Sequence, residues 1–173
     1  MDPERTTRIA AAQGLGDAGR PDATALLRYK ILVGDDEPQV LAACIESLLS
    51  LAREPSIDFV TKLLTDEDGD RAEVAALALG GARIAEPLAA WCRGCLPEQR
   101  QRIGYLALAL LRDDRANALL LDAIRTRVKA DAVAAARALA TFKDDAAIAD
   151  QLRAAAKPQQ DKAARREIDA LLA

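Results

Sequence analysis

The sequence predicts an all-α fold, a right-handed α-solenoid (superhelix) of about five two-helix repeats with a C-terminal capping helix, and three observations carry that expectation. First, five alanine-rich segments end in a leucine, at Leu15, Leu48, Leu79, Leu110 and Leu139, with steps of 33, 31, 31 and 29 residues. A period of that length marks two-helix units, which cannot bury their own apolar faces and must stack on their neighbours. Second, nine residues after each of the last four leucines stands a branched aliphatic, Ile57, Leu88, Leu119 and Ile148, the expected first buried position of each second helix. Third, 51% of the 173 residues are apolar but only 3% are aromatic, so the core must be made of Ala, Leu, Ile and Val. That composition suits close helix stacking, and nothing reads as a strand.

In chain order the repeats fall roughly at 5–35, 36–67, 68–96, 97–127 and 128–157, with the cap at 158–173, all in a single domain without a linker. The first repeat is about two residues longer before its acidic turn, so its second-helix positions lie among Leu26, Leu27 and Ile31 without a unique assignment. In the later repeats, spacings of three to four from the aliphatic column reach Val60 and Leu64, Cys92 and Cys95, Ala123, and Leu152. Prolines punctuate the pattern: Pro38 and Pro97 near helix starts, Pro21, Pro55 and Pro87 between or opening paired helices, and Pro158 before the last segment. Acidic turns at Asp35-Asp36, Asp66 to Asp70 and Asp144-Asp145 supply acceptors for the free N–H groups of the following helix. The final stretch from Asp161 to Leu172 has a narrow apolar stripe and a charged opposite face, as a terminal cap or the first helix of a further repeat would.

The first helices carry a recurring small-residue signature: Ala75-Ala76-Leu77-Ala78-Leu79-Gly80, Ala135-Ala136-Arg137-Ala138-Leu139-Ala140 and Ala11-Ala12-Gln13-Gly14-Leu15-Gly16. It resembles the short HEAT-like repeats of the phycobilin-lyase type, over roughly residues 5–157. Cys44-Ile45-Glu46-Ser47-Leu48 and Leu106-Ala107-Leu108-Ala109-Leu110 keep the apolar positions but lack the Ala pair. The resemblance implies the fold and says little about function, because one fold hosts many functions.

Composition excludes much chemistry. The chain has no histidine, which removes Ser-His and Cys-His nucleophile pairs, imidazole bases and His-ligated metals. Trp91-Cys92-Arg93-Gly94-Cys95 resembles the Trp-Cys-x-x-Cys of thioredoxin-like oxidoreductases, but such a motif follows a strand and opens a helix. Here it falls inside an expected helix in register with Leu88, so two small buried thiols are expected. Cys44 gives a third sulfur, yet without a fourth Cys or a His a zinc site is not expected, nor is any other cofactor. The opening Met1-Asp2-Pro3-Glu4-Arg5 has no apolar stretch after it, and the longest apolar run, Ile103 to Leu111, is about half of a membrane crossing. With an odd number of cysteines, these features suggest reduced thiols in a cytoplasm, and the Ala, Arg and Asp bias suits a bacterium of high GC content.

The remaining signal is surface. Second helices bring a near-periodic set of cations, Lys62, Arg93, Arg125 and Arg153, with Arg28 or Lys30 as first member, in a protein of net charge −3. Projecting together from the concave face, they would make a basic stripe able to attract an acidic segment of a protein partner, with Phe59, Trp91 and Leu121 as apolar anchors. The leading expectation is thus a non-catalytic interaction scaffold or adaptor. The resemblance implies a second reading, a chaperone-like subunit in cofactor attachment. A third, nucleic-acid work of the HEAT-like DNA glycosylase kind, is disfavoured by the acidic balance and the scarcity of aromatic residues.

Overall fold

A computed structural model describes residues 3–66 and 68–172; Glu67, part of one expected acidic turn, and Ala173 of the expected cap lie outside the described residues. The described chain is helical throughout, with no strand, and divides into two compact units, 1–84 and 85–173.

The first unit contains α1 (Pro3–Asp17), α2 (Pro21–Val33), α3 (Pro38–Leu51), α4 (Arg53–Leu63) and α5 (Gly69–Gly81). Pro21 and Pro38 open α2 and α3 at positions whose N–H would have no helical partner. Asp68 caps α5 by accepting from the N–H groups of Asp70 and Arg71. At the centre lies α3, packed against α1, α2, α4 and α5, and its buried residues Val40, Leu41, Ala43, Cys44, Ile45, Ser47, Leu48 and Leu49 cover about two thirds of the helix circumference. Small residues permit the closest approach: a Cβ on Gly16 of α1 would stand 2.8 Å from the Cβ of Ser47 on α3.

The second unit contains α6 (Ala85–Gly94), a bent helix over 97–111, α9 (Asp114–Thr126), α10 (Lys129–Ala140), α11 (Ala146–Ala156) and α12 (Lys162–Leu171). The helix over 97–111 starts as the short turn α7 (Pro97–Gln99), runs as a π-helix at Arg100–Gly104 and finishes as α8 (Tyr105–Leu111). Here α10 is the central helix, packed against α8, α9, α11 and α12. Asp113, Asp145 and Asp161 cap α9, α11 and α12, as the acidic turns predict for such residues. Burial of Ala164 and Ile168 by α12 leaves Lys162, Arg165, Arg166 and Asp169 exposed.

The structure corrects the register in two places. Leu48, Leu79 and Leu139 are buried, but Leu110 is only half-buried and its place in the core is taken by Leu108. Among the described residues, the two in the left-handed backbone conformation other than glycine, Arg83 and Arg112, each follow an anchor by four residues if the anchors are Leu79 and Leu108. The cause is the π-helical turn. From the first helical residue to the anchor is ten steps for Pro38 to Leu48, Gly69 to Leu79 and Lys129 to Leu139, but eleven for Pro97 to Leu108. A π-turn takes up the one extra residue without breaking the helix. Leu15 is also half-buried; α1 packs chiefly against α3 and, more lightly, α2.

The second correction concerns the aliphatic column. Leu88 is fully buried, whereas Ile57, Leu119 and Ile148 are half-buried. Val60, Leu64, Ala123 and Leu152, the positions reached by the spacing of three to four, are buried as expected, and Leu27 and Leu120 join them in the core, Leu120 one residue after Leu119. Each step along a helix turns the side chain by about 100°, so a shift of one residue moves a side chain to the flank of the apolar stripe. The assignment for the first repeat is resolved at the same time: Leu27 and Ile31 face the core, and Leu26 is exposed.

Candidate functional site

In the first unit Lys62 is exposed on α4, and Phe59, one turn earlier, is half-buried beneath the guanidinium of Arg28, which lies 5.3 Å from the ring centre. Arg28 also donates from Nη2 to the Pro55 carbonyl at 2.6 Å, tying α2 to α4. The other candidate for the first cation, Lys30, is held by Asp35 at 2.8 Å and by the Gly34 carbonyl at 2.9 Å. Both therefore have structural partners.

Asp35 is the electrostatic centre of this unit. Its carboxylate accepts from Arg8 Nη2 at 3.1 Å, from Lys30 Nζ at 2.8 Å and from the Glu37 N–H at 3.0 Å. Burial alone would raise its pKa, but the bonds from Lys30, Glu37 and Arg8 outweigh that and hold it below the ordinary value. These groups line an open cleft of about 510 Å³ that also includes Arg71, itself paired with Asp66 and Asp68.

In the second unit Arg93, Arg125 and Arg153 are exposed on α6, α9 and α11, and Trp91 and Leu121 are half-buried. Arg93 and Arg153 each come one residue after a buried core residue, Cys92 and Leu152, so they leave their helices at matching angles. Leu121 holds the matching place on α9, after Leu120, while Arg125 projects about a turn further along. Arg153 is bonded to Asp150 at 2.9 Å on the same helix. A groove of about 450 Å³ runs between α6 and α9, lined by Ala85, Ala89, Leu111 and Leu119. Exposed side chains of both signs stand around it: Glu86, Arg93, Arg115 and Asp122.

Two features escaped the sequence reading. One is a buried polar network in which Asp131 of α10 accepts from Arg100 Nε at 3.3 Å and from the Tyr105 hydroxyl at 2.9 Å. Burial, then the Asp131 carboxylate, pushes the Tyr105 phenol up from its usual range. The available signal was positional: Val40, Arg71, Arg100 and Asp131 each stand eight residues before Leu48, Leu79, Leu108 and Leu139, so charges enter an apolar column. The other is the asymmetry of the cysteines. Cys92 is buried as expected, but Cys95 lies just beyond the end of α6 and is half-buried. Its hydrogen bond with Cys92, and then the Arg100 charge, lower its pKa to about 7 against the effect of burial. The same hydrogen bond, followed by burial, pushes Cys92 up, and burial pushes Cys44 up. Among the described residues no group of three or more metal-ligating side chains is placed to hold an ion.

Stacked helical pairs with small residues at their closest approach and an Ala-rich first helix define a helical repeat protein. The family model for HEAT repeats matches residues 1–80, nearly all of the first unit, and the all-α architecture agrees with a HEAT-type fold. No curated protein matches the chain. HEAT repeats generally mediate protein–protein interaction, and among the described residues no helix is long and apolar enough to cross a membrane.

Proposed function

We propose that this protein is a non-catalytic interaction scaffold that binds a segment of a protein partner on its second helices, with the groove between α6 and α9 as the main seat. The observation that carries this reading is the groove itself. It offers apolar lining from Ala89, Leu111 and Leu119 in a space of about 450 Å³, enough for one or two large side chains of a partner. Arg93 and Arg115 beside it favour a partner whose apolar anchor is followed by an acidic residue, while Glu86 and Asp122 oppose a run of acidic residues at the same place. Arg125 on α9 and Arg153 on α11 extend the cationic positions along the second helices of this unit.

The test is affinity capture from the native host with the wild-type chain and with Leu119→Asp and Arg93→Glu, each checked for unchanged helicity. Both substitutions fall on side chains that are not fully buried, so the fold should persist. Capture of the same partner should fall at least tenfold with Leu119→Asp, and with Arg93→Glu it should weaken and lose part of its salt dependence. Undiminished capture by both variants would remove the groove as the seat.

A further inference from the structure

We propose that Cys92 and Cys95 are a reactive dithiol, which closes to a reversible disulfide by exchange with small disulfides of the glutathione class. The two cysteines are three residues apart at the end of α6, and the Cys95 thiol donates to the Cys92 carbonyl at 3.6 Å. Third neighbours on a helix have Cβ atoms about 5–6 Å apart, and a disulfide needs roughly 3.5–4.5 Å, so closure requires an approach of about 1–2 Å. Cys95 lies past the last helical residue, Gly94, at the free end of α6.

The surroundings divide the roles. Cys95 is half-buried and reachable, whereas Cys92 is 4% exposed, its sulfur 3.2 Å from the place a Cβ on Gly104 would occupy. Arg100 donates from Nη1 to the Cys95 carbonyl at 3.5 Å, and its charge faces both sulfurs; Asp131 faces Cys95 and Arg127 faces Cys92. Cys95 is the more exposed sulfur and its pKa is held below the usual thiol value, so it is the attacking sulfur and Cys92 the resolving one.

The Cys95 thiolate attacks one sulfur of RSSR, forming Cys95–S–S–R, breaking the external S–S bond and releasing RS⁻. Cys92 then gives up its proton and attacks Cys95 Sγ, forming the Cys92–Cys95 bond and expelling a second RS⁻. The two thiolates take up the proton from Cys92 and the one Cys95 had already released to solvent. Two electrons pass from the protein to the small disulfide, which leaves as two RSH. Excess small thiol reverses both steps.

The experiment treats the full reduced chain with oxidised glutathione in native buffer and follows intact mass, peptide mapping and the emission of Trp91, the single tryptophan. The expected product has lost two hydrogens, carries its disulfide between Cys92 and Cys95, shows altered Trp91 emission, and reverts with dithiothreitol. Cys92→Ala should stop at one glutathione on Cys95, and Cys95→Ser should take up none at Cys92. In the wild type, Cys95 should react roughly tenfold or more faster than the buried Cys44. The proposal is overturned by a wild type that stays unmodified, keeps glutathione on Cys95 without closing, or reacts only once denatured. The wild-type map decides this even if either variant folds poorly.

Discussion

Leu108 and Leu110 differ by two residues, yet truncating each to alanine should have clearly different costs. Leu108 is 2% exposed and fills the anchor position of its repeat, so Leu108→Ala removes a buried isobutyl group and leaves a cavity. Such changes cost roughly 2–5 kcal/mol. Leu110 is half-buried at the edge of the same helix. A Leu side chain fully withdrawn from water contributes about 1.5–3 kcal/mol, so half of that, about 1 kcal/mol with little cavity term, is expected for Leu110→Ala. Urea denaturation followed by far-ultraviolet circular dichroism measures both on one scale, and each kcal/mol should also lower the melting temperature by about 2–4 °C. Leu79→Ala, at a residue with no exposed surface, is the reference and should match Leu108→Ala. The reasoning fails if Leu110→Ala costs as much as Leu108→Ala or more, because the π-turn at Arg100–Gly104 would then not have shifted the register.

Two further outcomes follow from the first unit. Gly16→Ala should destabilise by about 1–3 kcal/mol, since its Cβ would meet Ser47 at 2.8 Å, while Gly14→Ala on the same helix, with no atom within 4 Å, should stabilise by up to about 1 kcal/mol; equal signs in thermal denaturation would contradict the α1–α3 packing. Because the folded pKa of Asp35 is depressed, its contribution to stability is fully present above the ordinary value of 3.8 and lost as pH falls through the lowered value. Asp35→Asn should therefore weaken the protein near neutrality and flatten the acid side of its stability–pH curve, and an unchanged acid limb would show that Asp35 is not its source.

The helical pairs were legible because small residues and leucines recur where helices must approach closely. Caps were legible where Asp stands directly before a helix, as Asp68 and Asp145 do, but the turn at Asp35-Asp36 gives α3 no side-chain cap, because Glu37 is its N-cap residue and Asp35 accepts from the Glu37 N–H. The fourth anchor was misplaced because Leu106, Leu108 and Leu110 alternate with alanines, so periodicity offered several leucines and favoured the one that kept a step of 31. A π-turn has no side-chain signature of its own. Arg28 and Lys30 illustrate the same limit at the candidate site: sequence shows a cation at the right interval, but only geometry shows that Phe59, Pro55 and Asp35 already engage it. Cys95 was taken for a core thiol because spacing counts it as helical, while the helix ends one residue earlier.

Proteins assembled from near-identical modules are vulnerable to unequal recombination, which adds or drops a module without disturbing the reading frame. In an array whose inner column is wholly apolar, such a product could still fold, since every module would accept every other. The pairing of Arg100 with Asp131 prevents that freedom in the second unit. Loss of the module that carries Asp131 would leave a guanidinium 8% exposed without its carboxylate, a defect costing roughly 3–5 kcal/mol. Duplication of the module that carries Arg100 would set two guanidinium groups against one another. The ion pair thus fixes which module follows which, and keeps the number of modules under selection through stability alone.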